Sequence, residues 1–166
     1  MSAHSASETM TPAQIGLVKQ SFARIAGNSQ EIGFRFYQRL FEREPRLEGL
    51  FQTSPRSQGG ALFSMIDLIV RTLDYQEQLI PIIYDLGRRH AAYGVTEHDY
   101  GVFRAALLDT LEKALGPAFT PEVQDAWGAA YDFMARVMEE AQNHVKAGRT
   151  LPYRRTGARV EEEADQ

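Results

Sequence analysis

Phe36-Tyr37-Gln38-Arg39-Leu40-Phe41-Glu42-Arg43-Glu44-Pro45 is the stretch from which the fold of this chain is read. With the preceding Ile32, its apolar side chains Phe36, Tyr37, Leu40 and Phe41 recur at helical spacing and the charged ones fall between them. Asn28 or Ser29 can cap this helix upstream. Pro45 lacks an N–H and restricts Glu44, so the helix ends or bends there. Upstream, Thr11-Pro12-Ala13-Gln14 reads as a capped helix start, with Pro at the first helical position and Gln closing a capping box, before Ile15, Val18, Phe22 and Ile25. The same opening returns as Ser54-Pro55, before Leu62, Met65, Ile66, Ile69 and Leu73, and as Thr120-Pro121, before Trp127, Ala130, Met134, Val137 and Ala141. A further helix carries Leu79, Ile83, Leu86 and His90 and is stopped by Gly94; Thr96-Glu97-His98-Asp99 opens another with Tyr100, Phe103, Leu107, Leu111 and Ala114 inward, ended by Gly116-Pro117. No segment alternates with the period of a strand, so the expected class is all-α.

At 166 residues the chain has the size of one domain, and such a domain buries roughly 70% of the surface its unfolded chain exposes. The expected organisation is a polar leader over residues 1–10, a helical core over 11–146, and a tail over 147–166 that sheds helical periodicity, segregates its arginines from its final acids, and reads as disordered. The absence of cysteine removes disulfides, thiolate metal sites and cysteine nucleophiles. Four scattered histidines (His4, His90, His98, His144) form no local multi-histidine motif. A formal charge of −4 with no basic run beyond pairs makes nucleic acid a poor partner. No apolar stretch is long enough for a membrane span, and the first residues lack a signal-peptide pattern, which points to a cytoplasmic protein.

Three polar side chains fall on faces that the pattern turns inward. His90 sits on an apolar stripe, where a histidine is either a satisfied core residue or a ligand. Tyr37 lies beside Phe36, where it either packs with its hydroxyl at the rim or serves a pocket. Gln58, four residues before Leu62, is either a first-turn surface residue or a pocket residue. A shared pocket would account for all three together.

In order and spacing, these segments resemble the globin family over about residues 11 to 146. Phe36-Tyr37 through Pro45, followed by Leu47 and Leu50-Phe51, resembles its B and C helices. Leu86-Gly87-Arg88-Arg89-His90 with Tyr93-Gly94-Val95 resembles the proximal-histidine segment, and Asp125-Ala126-Trp127 with Tyr131 the last helix. The likeness is closest to single-domain bacterial globins of the flavohaemoglobin lineage, above all the Hell's Gate type of methanotrophs, and more distant to neuroglobins. It implies a three-over-three helical sandwich around haem b (iron protoporphyrin IX). His90 would bind the iron and Phe51 pack on the ring. Tyr37, Gln58 and Leu62 would line the distal, gas-binding side. Tyr93 and Tyr100 would lie on the haem's other contacts, with Arg88 and Arg89 near its propionates. One imidazole is all that haem requires of the chain, because the porphyrin supplies four nitrogens. In the lineage a tyrosine, here Tyr100, and a late glutamate support the proximal histidine. The glutamate's place falls on His144, with Glu139 and Glu140 a turn upstream, which weakens the case for a peroxidase-like role.

The resemblance implies reversible binding of O₂ and of NO and CO. Dioxygen held by haem carries partial negative charge, so a phenol O–H and an amide N–H aimed at it would each contribute roughly 1.5–3 kcal/mol. It also admits NO dioxygenation with a separate reductase acting in trans, because no GxGxxG or flavin-binding segment is present. The alternative is a gas or redox sensor signalling through a partner protein. A haem-free helical interaction module would leave Tyr37, Gln58 and His90 without a common explanation.

Overall fold

Side-chain caps start four of the six helices in the computed structural model, which describes residues 10–51 and 53–148. Thr11 Oγ1 accepts the Gln14 N–H (3.2 Å) and Gln14 Oε1 the Thr11 N–H (3.0 Å), closing the expected capping box of α1 (Pro12–Ile25). Ser54 caps α3 (Pro55–Thr72), Thr96 and Asp99 box α5 (Glu97–Leu115), and Thr120 caps α6 (Pro121–Lys146). Asn28 precedes α2 (Ser29–Arg43) but its side chain caps nothing. The chain enters α2 directly from a 3₁₀ turn, Ala26–Asn28, so little backbone is left for a side chain to satisfy. Another 3₁₀ turn, Leu73–Tyr75, feeds α4 (Gln76–Ala92), which ends where Gly94 takes φ +76°. The polar leader through residue 9 and the tail from residue 149 lie outside the described residues. Met10, grouped with the leader by sequence, is buried, and its N–H donates to Gln76 Oε1 (3.2 Å).

The helices form two layers of three, with α1, α3 and α4 packed on α2, α5 and α6; no strand occurs among the described residues. Val18, Phe36, Leu40, Phe63, Leu79, Ile83 and Leu111 make the driest part of the core. Trp127 Nε1–H donates to Ser21 Oγ (2.9 Å), tying α6 to α1 without leaving a buried donor unpaired. One inward expectation fails at the end of α5: Ala114 is exposed and Leu115 is buried instead. The last turn rotates its apolar side to Leu115 as the helix approaches Gly116, whose φ of +55° breaks it.

Two glycine crossings set the layer spacing. A Cβ on Gly33 of α2 would lie 2.4 Å from the Gly59 carbonyl oxygen of α3, and a Cβ on Gly59 would lie 2.4 Å from the Gly33 carbonyl carbon. The two backbones touch there, closer than any side chain allows. At the second crossing, a Cβ on Gly87 of α4 would meet the Met138 backbone of α6 at 2.6 Å. Tyr37 stands one turn beyond Gly33, Gln58 adjoins Gly59, and His90 follows Gly87 by three residues. The crossings therefore position all three inward polar residues. Gly33→Ala is expected to destabilise the fold by about 2 kcal/mol or more, because backbone cannot move aside as a side-chain tip can. Gly16→Ala, in the interior of α1 with open space around it, is expected to stabilise by about 0.5–1 kcal/mol. Urea unfolding of the two variants checks both signs.

Candidate functional site

At the crossing of α2 and α3, Tyr37 is almost fully buried among aromatic rings. Its ring centroid lies 5.1 Å from Phe51 and 5.7 Å from Phe41, with Phe103 of α5 at 6.4 Å. Its hydroxyl is hydrogen-bonded to the Gln58 side chain, and burial drives its pKa strongly upward, outweighing the lowering effect of that bond. Gln58 Oε1 accepts the Thr53 hydroxyl (2.6 Å), and its lowering effect on Tyr37 is that of a donor, which makes the amide N–H the group facing Tyr37 Oη. The phenolic proton is then left for another acceptor. Tyr37, Gln58 and Phe51, expected together, are brought together; Leu62, one turn along α3 from Gln58, is half-buried against the same core. Phe41, Thr53 and Phe103 were not singled out by sequence, because their place depends on how α2, α3 and α5 cross.

His90 lies in the last full turn of α4. Its Nδ1–H donates to the Leu86 carbonyl oxygen (2.7 Å), which directs the ring and leaves Nε2 as the lone-pair nitrogen. Burial first, then the Arg89 charge, lower its pKa against the opposing pull of that carbonyl, so the imidazole is neutral at pH 7. Nε2 has no hydrogen-bond partner among the described residues. A neutral imidazole oriented by a backbone carbonyl is the form in which histidine binds a metal. The Tyr93 ring packs on it edge-on at 5.9 Å while staying 57% exposed. Arg88 and Arg89 both pair with Asp85, at 3.4 and 2.6 Å.

Around the His90 segment, α6 and α5 contribute in different ways. His144 does not reach the His90 segment: its Nδ1 is hydrogen-bonded to the Tyr84 hydroxyl of α4. The α6 side chain that does reach it is Gln142, buried, with Nε2–H donating to the Val95 carbonyl oxygen (3.0 Å) just past the end of α4. Trp127, Tyr131, Met138 and Gln142 follow one another at helical spacing, so a polar residue on that inward stripe was the available signal. Tyr100 is held through its backbone, its carbonyl accepting the Tyr131 hydroxyl at 2.7 Å. Its own hydroxyl is buried with no partner among the described residues, and its pKa is raised by burial and then by the Glu139 carboxylate. An unpartnered buried phenol costs about 1–3 kcal/mol. Neither His90 nor a carboxylate answers the Tyr100 hydroxyl; the imidazole takes its support from Leu86 instead.

The two-layer helical fold thus carries an imidazole with an unpartnered Nε2 on α4 and, at the crossing of α2 and α3, a buried tyrosine facing a half-buried glutamine. The globin family model matches residues 35–138, and the chain belongs to the globin family. It is 29% identical over 145 residues to a flavohemoprotein of Xylella fastidiosa, covering 86% of this chain and 36% of that protein. It is 28% identical over 131 residues to a Vibrio cholerae flavohemoprotein, covering 77% and 33%. The chain thus spans about a third of the length of the curated relatives it matches. Among solved structures it is similar to the engineered carbene transferase RmaNOD, a candidate nitric oxide dioxygenase from Rhodothermus marinus. That match has 29% identity and a TM-score of 0.76, and covers 84% of this chain and 98% of that one. No helix among the described residues is long and apolar enough to cross a membrane.

Membership of the globin family implies haem binding, and the residues present fit that group. Among the described residues no cluster of three or more histidines and carboxylates could hold a metal alone. A metal at His90 must bring its other ligands with it, as haem iron does. Gln142→Leu is expected to destabilise the fold by about 1 kcal/mol by unpairing the Val95 carbonyl, measured by urea unfolding; His144→Leu, acting at Tyr84 instead, should leave amide-exchange protection at Val95 unchanged.

Proposed function

We propose that this globin binds haem b through His90 and holds O₂ reversibly, and that the held O₂ converts NO to nitrate with electrons from a reductase. The observation that carries the reading is the buried Tyr37 phenol, set among aromatic rings and facing the half-buried Gln58, whose Oε1 accepts from the exposed Thr53 hydroxyl. When bound, haem supplies an iron with one protein ligand and an open position for a diatomic gas. The chain has no cysteine for thioether attachment, which favours non-covalent haem b. His90 offers Nε2 because Leu86 occupies Nδ1. Tyr37 keeps its proton at pH 7 and donates it to a polar ligand, while Gln58 keeps the phenol from turning away. Phe41, Phe51 and Leu62 exclude water, which strengthens that hydrogen bond and discriminates O₂ from the less polar CO.

NO dioxygenation balances as NO + O₂ + e⁻ → NO₃⁻, so each turnover needs one electron. The names of the flavohemoprotein relatives and of the Rhodothermus marinus neighbour support that direction.

Absorbance of the purified protein should show a Soret band that His90→Ala largely abolishes. In stopped flow, Tyr37→Phe should speed O₂ release by about 10- to 100-fold, the loss of one charge-assisted hydrogen bond, and CO release far less. Equal acceleration of both gases would remove the polar-pocket argument. Mixing the O₂-loaded protein with NO should yield one nitrate per haem in a single turnover, and repeated turnover only when a reductase and its electron donor are added. Loss of NO without nitrate would overturn the dioxygenase reading while leaving O₂ binding intact.

A further inference from the structure

On the outer side of α2, away from Tyr37, a cleft of about 500 Å³ opens between the end of α1, the first turns of α2 and the last turns of α5. Arg24, Arg35, Arg39 and Lys113 line it, against a single carboxylate, Glu31. This excess is not the general character of the chain, whose formal charge is −4. Arg35 pairs with Glu31 (3.4 Å), but the other three cations do not resemble the remaining basic groups. Lys19, Arg43, Arg46, Arg56, Arg71, Arg88, Arg89 and Arg104 each sit within 4 Å of a carboxylate. Among the described residues, Arg24, Arg39, Lys113 and Lys146 are the basic side chains with no such partner, and three of those four converge on this cleft.

Arg39 is the telling member. The residue is half-buried, and its guanidinium spends one N–H on the Thr110 hydroxyl (3.2 Å), which in turn donates to the Ala106 carbonyl (2.7 Å). Thr110 is buried, so it acts as a fixed post that aims the guanidinium. The remaining N–H groups of Arg39 have no acceptor among the described residues. A guanidinium held in place by Thr110 with no carboxylate beside it among the described residues keeps N–H donors for an anionic ligand in the cleft. Ile25 and Ile32 add an apolar wall beside these donors. The cleft is concave and of small-ligand size, which fits a molecule that enters it better than a flat acidic protein surface. Several cations at different depths suit an anion with several charges, and the guanidinium fork suits phosphate oxygens.

We propose that this cleft binds a phosphate-bearing small molecule, with Arg39 and Lys113 gripping the phosphates, Arg24 and Arg35 at the rim, and Ile25 and Ile32 against the organic part. The site is separate from the haem pocket. Arg39 follows Tyr37 by two residues, about 200° around the helix, so the proposal stands whether or not the gas chemistry does.

Titration calorimetry of the haem-loaded protein tests it, with sodium tripolyphosphate and ATP as probes and ionic strength held constant with chloride. The expected result is saturable one-to-one binding of both probes. Lys113→Gln, an exposed substitution that leaves the core untouched, should weaken it about tenfold, and Arg39→Gln at least as much. Arg71→Gln, at a surface cation of α3 that lies outside the cleft lining and is paired with Asp67, should leave it unchanged. Absence of saturable heat, or equal weakening by Arg71→Gln, would overturn the site. Displacement of tripolyphosphate by an equal concentration of hexaglutamate peptide would overturn the small-molecule assignment in favour of an acidic protein surface.

Discussion

The backbone contact between Gly33 and Gly59 is the constraint on which the pocket depends. Helix axes usually pack 8–10 Å apart because side chains intervene; where both contributors lack a Cβ, the backbones meet directly. That approach draws α3 against α2 closely enough for Gln58 to bond Tyr37, and it turns the start of α3 so that Thr53 can hold Gln58 from the other side. Gly87 does the same work against Met138 for the helix that carries His90. The distal pair and the imidazole are thus each anchored within a turn of a glycine crossing, on rigid elements rather than on loops.

Around that frame the polar groups fall into two kinds. Inside, they are neutral and paired: Gln58 to Tyr37, Gln142 to Val95, Tyr131 to Tyr100, Trp127 to Ser21, and His90 to Leu86. Neutral groups can be buried when their hydrogen bonds are met, whereas a buried charge requires a partner. The one buried carboxylate among the described residues, Asp99, has Thr96 and Arg46 to meet it, and these hold its pKa below the usual range against the upward push of burial. Outside, the charges pair on the surface, where each pair contributes little to stability. The Tyr100 hydroxyl breaks the inner pattern, and the Arg24–Arg39–Lys113 cleft breaks the outer one.

Much of this was legible in the sequence because it is local. Caps at Thr11, Ser54, Thr96 and Thr120, the stop at Pro45 and the αL glycine at 94 act within a few residues, and the structure builds each of them as expected. Asn28 failed as a cap because a 3₁₀ turn, whose presence no residue type announces, had already joined α1 to α2. The proximal end was harder. His144 and Gln142 are two residues apart on one helix, nearly opposite in direction, and a count along the chain selected the one that tertiary packing turns to Tyr84.

By itself, then, the sequence determined the helices, their order, and the identity of the inward tyrosine, glutamine and histidine, since periodicity and capping are properties of short segments. Only the tertiary structure decided which helix faces meet. It made Gly33 and Gly59 a contact, chose Gln142 over His144 beside the His90 segment, left the Tyr100 hydroxyl unanswered, and gathered three unpaired cations from two helices and a helix end into one cleft. Those outcomes rest on distances between residues far apart in the chain. Such distances follow from how closely backbones can approach, which no local pattern encodes.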